Sequence, residues 1–254
     1  MKTMSEHNPV LRQLMERKSV RAYEPADIPE QDVQTILAAA VQAPSAGNMA
    51  LWTAIRVTDP EKKQRLSISC DNQPFIAKAP LVLVFCADYK RWFDLFGTLA
   101  LDAPLRRPGE GDFLLAMLDA TIAAQSSVVA ADALGYGSCY IGDILENCDV
   151  QREILGLPAY VKPVAMVVIG VPTQQQRERK KPARFAASDL VHENAYQAKT
   201  PEEMAAMLKA RQGLDGEDFD RWLLAFCKRK WNCAFSEEMT RSAAQMIAEW
   251  REGK

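Results

Sequence analysis

The stretch FLLAMLDATIAAQSSVVAADAL, residues 113–134, decides the fold. Its apolar residues recur at helical spacing, but Asp119, Gln125 and Asp132 interrupt them, so it is predicted to be a buried helix of a soluble protein and not a membrane span. Gly135 follows it and predicts a left-handed C-cap. One face carries only small side chains, which allow another element to approach closely: Ala116, Ala120, Ala123, Ala124, Ser127 and Ala131. We expect this helix to run through the centre of the core.

Apolar strands are predicted on both sides of this helix in the chain. Residues 53–58, 81–87 and 164–171 form apolar runs, and the second is apolar on both faces, as in the middle of a covered sheet. Short helices begin at Pro9, Pro29 and Pro60, and Pro44 ends the second of them. Because the helices gather around a few strands without regular βαβ alternation, the sequence predicts an α+β sandwich.

The chain changes character after residue 196. Residues 201–212, 217–230 and 236–250 are predicted to be helices, with no strand to cover. Their aromatic side chains need a surface, which the main domain or a second subunit would supply: Trp222, Phe226, Trp231 and Phe235. We therefore predict a main domain over residues 1–196 and a helical C-terminal extension over residues 197–254 that packs on that domain or on the partner subunit.

Bulk composition argues against several classes of function. The formal net charge of -2 gives no general attraction to nucleic acid or to an anionic membrane. The 6 cysteines are scattered without a CxxC pair, and no secretory segment is visible, so they are predicted to be reduced thiols in a cytoplasmic protein. The only histidines are His7 and His192. Zinc enzymes and hydrolases usually use a positioned imidazole, so we expect neither, and no metal site.

The glycines of GYGSCYIG, residues 135–142, do not form a dinucleotide-binding fingerprint. A GxGxxG motif beginning at Gly135 requires glycine at position 140, where Tyr140 stands, and the stretch follows a helix instead of a strand. The stretch is interpreted either as a helix C-cap with a tight turn or as a backbone-lined wall for a ligand.

Anion-binding side chains are concentrated in RKSVR, residues 17–21. In an extended segment Arg17, Ser19 and Arg21 point the same way and offer two guanidinium groups and a hydroxyl to one ligand, for which phosphate is suited. The alternative is a solvated basic helix end. PSAGNM, residues 44–49, offers small residues and backbone donors to a flat ring, or only ends a helix. Arg184, with Lys180 and Lys181, either completes an anion site or keeps a loop soluble.

Together and in this order, these motifs resemble the nitroreductase family of flavoproteins, specifically its oxygen-insensitive nitroreductase and flavin reductase branch. The resemblance extends from about His7 to Tyr196, and the tail corresponds loosely. It is carried by RKSVR (17–21), APSAGN (43–48), CDNQPFIAKAP (70–80), VFCAD (84–88), GYGSCYIG (135–142), PARF (182–185) and LVHENAY (190–196).

The resemblance implies a mixed sheet flanked by helices, in a homodimer that places each FMN at the subunit interface. Arg17, Lys18 and Ser19 match residues that hold the FMN phosphate and ribityl chain, and Arg21 matches the cation beside flavin N1 and O2. Ser45, Ala46, Gly47, Asn48 and Gln73 match contacts to the ring and ribityl chain. Tyr140, Ile141 and Gly142 match the wall beside N5, and Arg184 matches the closing phosphate ligand. The exposed aromatic residues of the tail and the small-residue face of the long helix also favour a dimer.

One position departs from the related branch, which often has a lysine two residues before the closing arginine. Here Pro182 occupies that position. Lys181 is a candidate replacement, if its side chain reaches round to the phosphate.

The implied activity is that of an FMN-dependent NAD(P)H oxidoreductase, which reduces nitroaromatics, quinones or flavins by ping-pong hydride transfer through flavin N5. The flavin carries the redox chemistry, so no side chain is expected to be catalytic, while Arg21 would stabilise negative charge near N1 and O2. NADPH or NADH is the expected donor, and the partners are a second copy of the chain and a small-molecule acceptor, with no nucleic acid and no membrane.

Two other functions stay open. The first is a flavoenzyme of the same fold with specialised chemistry, namely reductive dehalogenation or flavin fragmentation. The second is a flavin-binding protein without enzymatic activity.

The tail contains one dense cationic group, Lys228, Arg229 and Lys230. In the related branch a basic residue of the tail can contact the extra phosphate of NADPH. Arg229 is the candidate for this contact, because a guanidinium binds phosphate in bidentate fashion. The alternative is that the group is the solvated end of an amphipathic helix.

Overall fold

Four antiparallel strands form the sheet of this protein in a computed structural model that describes residues 8–254. They are β1 (Trp52–Arg56), β2 (Leu81–Asp88), β3 (Gly137–Ile141) and β4 (Val161–Gly170), in the order β1-β2-β4-β3. The two central strands are buried along their whole length, because helices cover both faces of the sheet. A parallel bridge between Ser19 and Ser138 adds a short parallel pairing at the β3 edge. Residues 1–7, including His7, lie outside the described residues.

The predicted helices are present with closely similar bounds. Asn8 begins the first, since its side chain accepts from the backbone N–H groups of Val10 and Leu11. The helices are α1 (Pro9–Glu16), α2 (Glu30–Val41), α3 (Pro60–Ser69), α4 (Pro74–Lys78), α5 (Lys90–Phe96), α6 (Glu110–Ala133), α7 (Cys148–Leu155), α8 (Gln174–Glu178), α9 (Ala187–Leu190), α10 (Pro201–Gln212), α11 (Gly216–Lys230) and α12 (Ala234–Glu252). Short 3-10 turns lie at Ala46–Asn48 and Gly142–Leu145.

Helix α6 runs through the core, as the sequence predicts. Alternate residues of β2 divide between two apolar layers: Leu83 and Phe85 pack in the layer that contains α2 and α6, whereas Val82 and Val84 pack in the layer that contains α3, α4 and α7. Although α6 is long and apolar enough to span a membrane, its small-residue face is buried in the first layer. That face is therefore unavailable to a second subunit. The exposed apolar residues of α6 are Leu114, Leu115, Leu118 and Ile122.

Strand β3 corrects the interpretation of GYGSCYIG as only a C-cap and turn. Gly135 does take a left-handed conformation, with φ 86, just after α6. The chain then continues as a strand, in which Gly137 pairs with Gly170 and Ile141 pairs with Met166 of β4. Gly137 is required by packing, because a Cβ atom there would lie 2.6 Å from Cγ2 of Val20.

The chain divides into two compact units by the contacts among its residues. One comprises Met1–Arg179 and Glu238–Lys254, and the other comprises Lys180–Glu237. Most of α12 thus belongs to the first unit, where Trp250 is fully buried and its Nε1 donates to the carbonyl of Gly109 at 3.0 Å. The predicted division into domains at residues 1–196 and 197–254 remains a prediction. The boundaries between the compact units lie instead after Arg179 and after Glu237.

Candidate functional site

The RKSVR segment lies along the outer edge of β3. Ser19 forms its bridge with Ser138, and the N–H of Val20 donates to the Ser138 carbonyl at 2.9 Å. The backbone leaves α1 in an extended conformation at Arg17, with φ -49 and ψ 134. An extended segment presents alternate side chains to opposite sides, so the pairing with β3 fixes which side chains share a face.

The structure brings Arg17, Ser19 and Arg21 together around the buried thiol of Cys139. Burial raises the pKa of Cys139, while the charge of Arg21, a hydrogen bond with Ser19 and the charge of Arg17 act in the opposite direction. Two guanidinium groups and a hydroxyl therefore share one face, the arrangement that suits an anion.

Two guanidinium nitrogens at this segment are buried without a hydrogen-bond partner among the described residues. They are Nε of Arg17 and Nε of Arg179, and a terminal nitrogen of Arg179 donates to the carbonyl of Ser19. A buried donor without a partner costs about 1 to 3 kcal/mol, and more for a charged group. An anionic ligand that accepts from these nitrogens would remove that cost, so this part of the chain fits a phosphate. No motif in the sequence distinguishes Arg179 from the other cations of its basic stretch.

Lys18 is directed elsewhere. Its ammonium group donates to the carbonyl of Arg177 at 2.7 Å and also to the carbonyl of Arg179. These carbonyls lie at the C-terminal end of α8, where a cation compensates groups left without helical partners. The assignment of Lys18 to the FMN phosphate stays a prediction, and the structure gives its ammonium group this other use.

The end of β3 collects four further residues of the predicted site. Nε2 of Gln73 donates to the carboxylate of Asp143 at 3.0 Å, which places Gln73 beside buried Ile141 and exposed Gly142. The hydroxyl of Tyr140 donates to Oε1 of Gln125 at 3.2 Å. Burial raises the pKa of Tyr140 to about 12, and the charge of Arg17 opposes this shift. The charge of Arg17 therefore acts on both groups of residues, since it also affects Cys139.

A buried carboxylate next to this region was not foreseen from the sequence. Glu146 follows the 3-10 turn after β3 and is 6% exposed. Burial raises its pKa to about 7, with contributions from the negative charges of Asp143, Asp71 and Glu238. Only Asp143 is near Glu146 in the sequence, whereas Asp71 follows α3 and Glu238 lies in α12, so the sequence does not show that these carboxylates meet.

The loop Ser45–Asn48 is fixed by Asp119 of α6. The carboxylate accepts from the N–H of Ala46 at 3.0 Å and from the N–H of Leu51 at 3.1 Å, and Asp119 itself is only 3% exposed. Within the loop, Gly47 and Asn48 both take left-handed conformations, with φ 56 and 57. Asp119 therefore holds an otherwise strained loop in one shape.

This loop lies far from β3 within one chain. It precedes β1, and the strand order separates β1 from β3 by three strand spacings, on the order of 14 Å. The two sites also differ in height along the strands. Trp52 pairs with Ala87 of β2, which pairs with Lys162 of β4, whereas Ile141 pairs with Met166 of β4. The interval from Lys162 to Met166 separates the two sites by roughly a further 13 Å. One chain therefore does not bring Ser45, Ala46, Gly47 and Asn48 together with the residues at β3.

A cavity of about 560 Å³ opens between α1, the C-terminal end of α6 and the start of β3. Arg17, Lys18 and Val20 line it, together with Arg12 and Arg177. Ser19, Arg21 and the end of β3 are not among the residues that line it.

The remaining two predicted residues belong to the second unit. Arg184 is exposed, and its Nη1 lies 3.4 Å from the carbonyl oxygen of Pro182. Arg229 is exposed in the last turn of α11, with its guanidinium carbon 5.9 Å from the ring centroid of Phe226.

Comparison with known proteins identifies a family for most of this architecture. Residues 14–171 match the family model described as the nitroreductase family. This match spans the last turn of α1, the whole sheet and the segments that contain the predicted residues from Arg17 to Gly142.

Individual relatives agree with this match. The chain is 30% identical over 193 residues to FMN reductase (NADPH) of Bacillus subtilis, covering 76% of each chain. It is 33% identical over 189 residues to a second protein of that organism, FMN reductase [NAD(P)H], covering 74% of this chain and 75% of the relative. Among solved structures, NADPH:FMN oxidoreductase from Vibrio harveyi complexed with NAD+ superposes with a TM-score of 0.73 at 28% identity, over 81% of this chain and 86% of that one.

Proposed function

This chain belongs to the nitroreductase family, and from that premise we propose that it is an FMN-dependent oxidoreductase that passes electrons from NADPH or NADH to nitroaromatics, quinones or flavins. The observation that carries the proposal is a pair of buried guanidinium nitrogens without a partner among residues 8–254, one on Arg179, which contacts the Ser19 carbonyl, and one on Arg17, two residues before Ser19. They suit the phosphate of a mononucleotide. The similar proteins named for FMN and nicotinamide nucleotides support the same assignment.

The residues at β3 divide into two binding roles. Arg17 and Ser19 would hold the phosphate and ribityl chain, and Gln73, Tyr140, Ile141 and Gly142 would line the ring. Bound FMN would supply the redox chemistry by accepting and donating hydride at N5. Arg21 would place its positive charge where negative charge increases on reduction, and we assign no side chain a proton-transfer role.

A homodimer would complete the site. The Ser45–Asn48 loop is remote from β3 in its own chain, so a second copy is the natural source of these ring contacts. An exposed apolar surface on α1 and α6 could form the contact between copies, and it comprises Val10, Leu11, Leu14, Leu114, Leu115, Leu118 and Ile122. Exposed apolar side chains of this kind are typical of an interface.

The reducing cytoplasm is the proposed location. All 6 cysteines are free thiols, including exposed Cys227. Free thiols persist in that compartment, whereas oxidising compartments favour disulfides.

The spectrum of the purified protein tests the main proposal. We expect a yellow protein whose heat-released cofactor is FMN by chromatography, and whose absorbance bleaches when NADPH is added without oxygen. FAD, or no flavin after reconstitution, would overturn the proposal. Bound FMN that does not bleach would support the alternative of a flavin-binding protein without enzymatic activity.

Arg229 is proposed to contact the extra phosphate of NADPH. It is an exposed guanidinium in a cationic turn of α11, which suits a phosphate monoester. Arg229→Ala should raise the KM for NADPH while leaving the KM for NADH nearly unchanged. Arg221→Ala, at another exposed guanidinium of the same helix, is the control. An unchanged preference between the two nicotinamides would show that the cationic turn is only solvated surface.

A further inference from the structure

Residues 176–179 lie along the edge of the RKSVR segment that faces away from β3. The N–H of Arg21 donates to Oε1 of Gln176 at 3.4 Å, and the guanidinium of Arg179 donates to the carbonyl of Ser19. In return, Lys18 donates to the carbonyls of Arg177 and Arg179. The two segments hold each other, so the position of Arg179 is set by the same backbone that positions Ser19.

Arg179 retains a donor that these contacts do not use. One terminal nitrogen is occupied by the Ser19 carbonyl, whereas its Nε is buried without a partner in the described part of the chain. The Nε of Arg17, two residues before Ser19, is in the same condition. Arg179 contacts the carbonyl of Ser19 and Arg17 lies two residues before it, and the acceptor oxygens of an anion would satisfy both buried Nε atoms. Their shared requirement is a ligand with several acceptor oxygens and negative charge.

We propose that Arg179 is a phosphate-binding residue, which forms with Arg17 and Ser19 the buried half of the site for the FMN phosphate. Lys18 holds the 177–179 segment in place for this purpose. This inference rests on the proposed function, since it concerns the phosphate end of the proposed cofactor.

A comparison of FMN with riboflavin tests it, because riboflavin lacks only the phosphate. Flavin-free protein is titrated with each compound, and binding is followed by quenching of flavin fluorescence. Arg179→Ala should raise the Kd for FMN about ten- to a hundredfold. The Kd for riboflavin should stay close to the wild-type value. Arg65→Ala, which removes an exposed guanidinium from α3, is the charge-matched control and should leave both constants unchanged.

Equal weakening of FMN and riboflavin would overturn the inference, since Arg179 would then only hold the Ser19 backbone. An unchanged Kd for FMN would overturn it as well. If circular dichroism shows that Arg179→Ala does not fold, the Arg179→Lys variant replaces it in the test. Lysine keeps a positive charge and a donor for the Ser19 carbonyl but lacks the paired N–H donors of a guanidinium. The variant should raise the Kd for FMN severalfold and leave the Kd for riboflavin unchanged. A wild-type protein that binds riboflavin and FMN equally well would refute the phosphate site, and one that binds neither would refute the proposed function itself.

Discussion

Arg17 and Arg21 share a face but have different surroundings, so their removal should have different effects. Arg17 has a buried Nε, whereas Arg21 is exposed. Arg17→Ala should raise the Kd for FMN about ten- to a hundredfold, because a charge-assisted contact is lost. Arg21→Ala should mainly lower the reduction potential of bound FMN. Fluorescence titration and spectroelectrochemistry measure the two effects, and equal behaviour of the variants would contradict these roles.

Glu146 should make the stability of the protein depend on pH. Its pKa is raised from 4.5 to about 7 in the folded protein, so the stability it contributes is complete below about pH 4.5 and is lost as the pH rises through about 7. Glu146→Gln removes this loss. We expect the variant to match the wild type at low pH and to be more stable above pH 7, by about 1 to 3 kcal/mol.

Urea unfolding across this pH range measures the effect of Glu146. Glu153→Gln, at an exposed carboxylate of α7, is the control and should show no such gain. If the free energy of unfolding differed between Glu146→Gln and the wild type by the same amount at every pH, titration of Glu146 would not be the cause.

Helix α12 should contribute strongly to the stability of the first unit. Trp250 is fully buried and packs edge-on against Tyr160, with ring centroids 5.6 Å apart. Trp250→Ala should cost about 3 to 5 kcal/mol through lost burial and the cavity it leaves. Trp231→Ala, at a side chain that is 82% exposed, should change the free energy of unfolding by less than about 0.5 kcal/mol. If both substitutions lowered the free energy of unfolding by similar amounts, α12 would not pack into the first unit through Trp250.

The contact between α6 and the Ser45–Asn48 loop predicts a local effect. Asp119→Ala removes the acceptor for the N–H groups of Ala46 and Leu51, and should cost about 2 to 4 kcal/mol because buried donors lose their partner. Hydrogen exchange at those two amides should accelerate more than exchange in the centre of β2. Uniform acceleration over the whole chain would instead indicate global destabilisation.

At the scale of the whole molecule, the exposed apolar side of α6 should decide whether the chain dimerises. Leu118 is 60% exposed, and Leu118→Lys would place a charge in the proposed contact. We expect a shift from dimer to monomer by light scattering, together with weaker FMN binding, since the site would lose the loop of the second copy. Ile68→Lys, at a residue of α3 that is 54% exposed, should leave the dimer intact. A Leu118→Lys variant that remains a dimer with full FMN content would refute this interface.

The sequence by itself determined those features that depend on neighbours along the chain. Proline and asparagine caps located α1 and α2, and the apolar runs located β1, β2 and β4 to within a few residues. The alternation of an extended backbone also placed Arg17, Ser19 and Arg21 on one face. These features follow from local geometry, so they can be predicted without knowing which distant segments meet.

Only the tertiary structure decided those features that depend on distant partners. The stretch from Gly137 to Ile141 is a strand because β4 pairs with it, although its glycines resemble a turn. Lys18 donates to the carbonyls of Arg177 and Arg179, and Arg179 donates to the carbonyl of Ser19, because residues 177–179 fold back along residues 17–21. The pKa of Glu146 is raised because the fold buries its carboxyl group, and the negative charges of Asp143, Asp71 and Glu238 raise it further. Strand pairing, the burial of a side chain and the clustering of charges all depend on residues that are close in space but distant in the chain. Local sequence patterns therefore do not predict them.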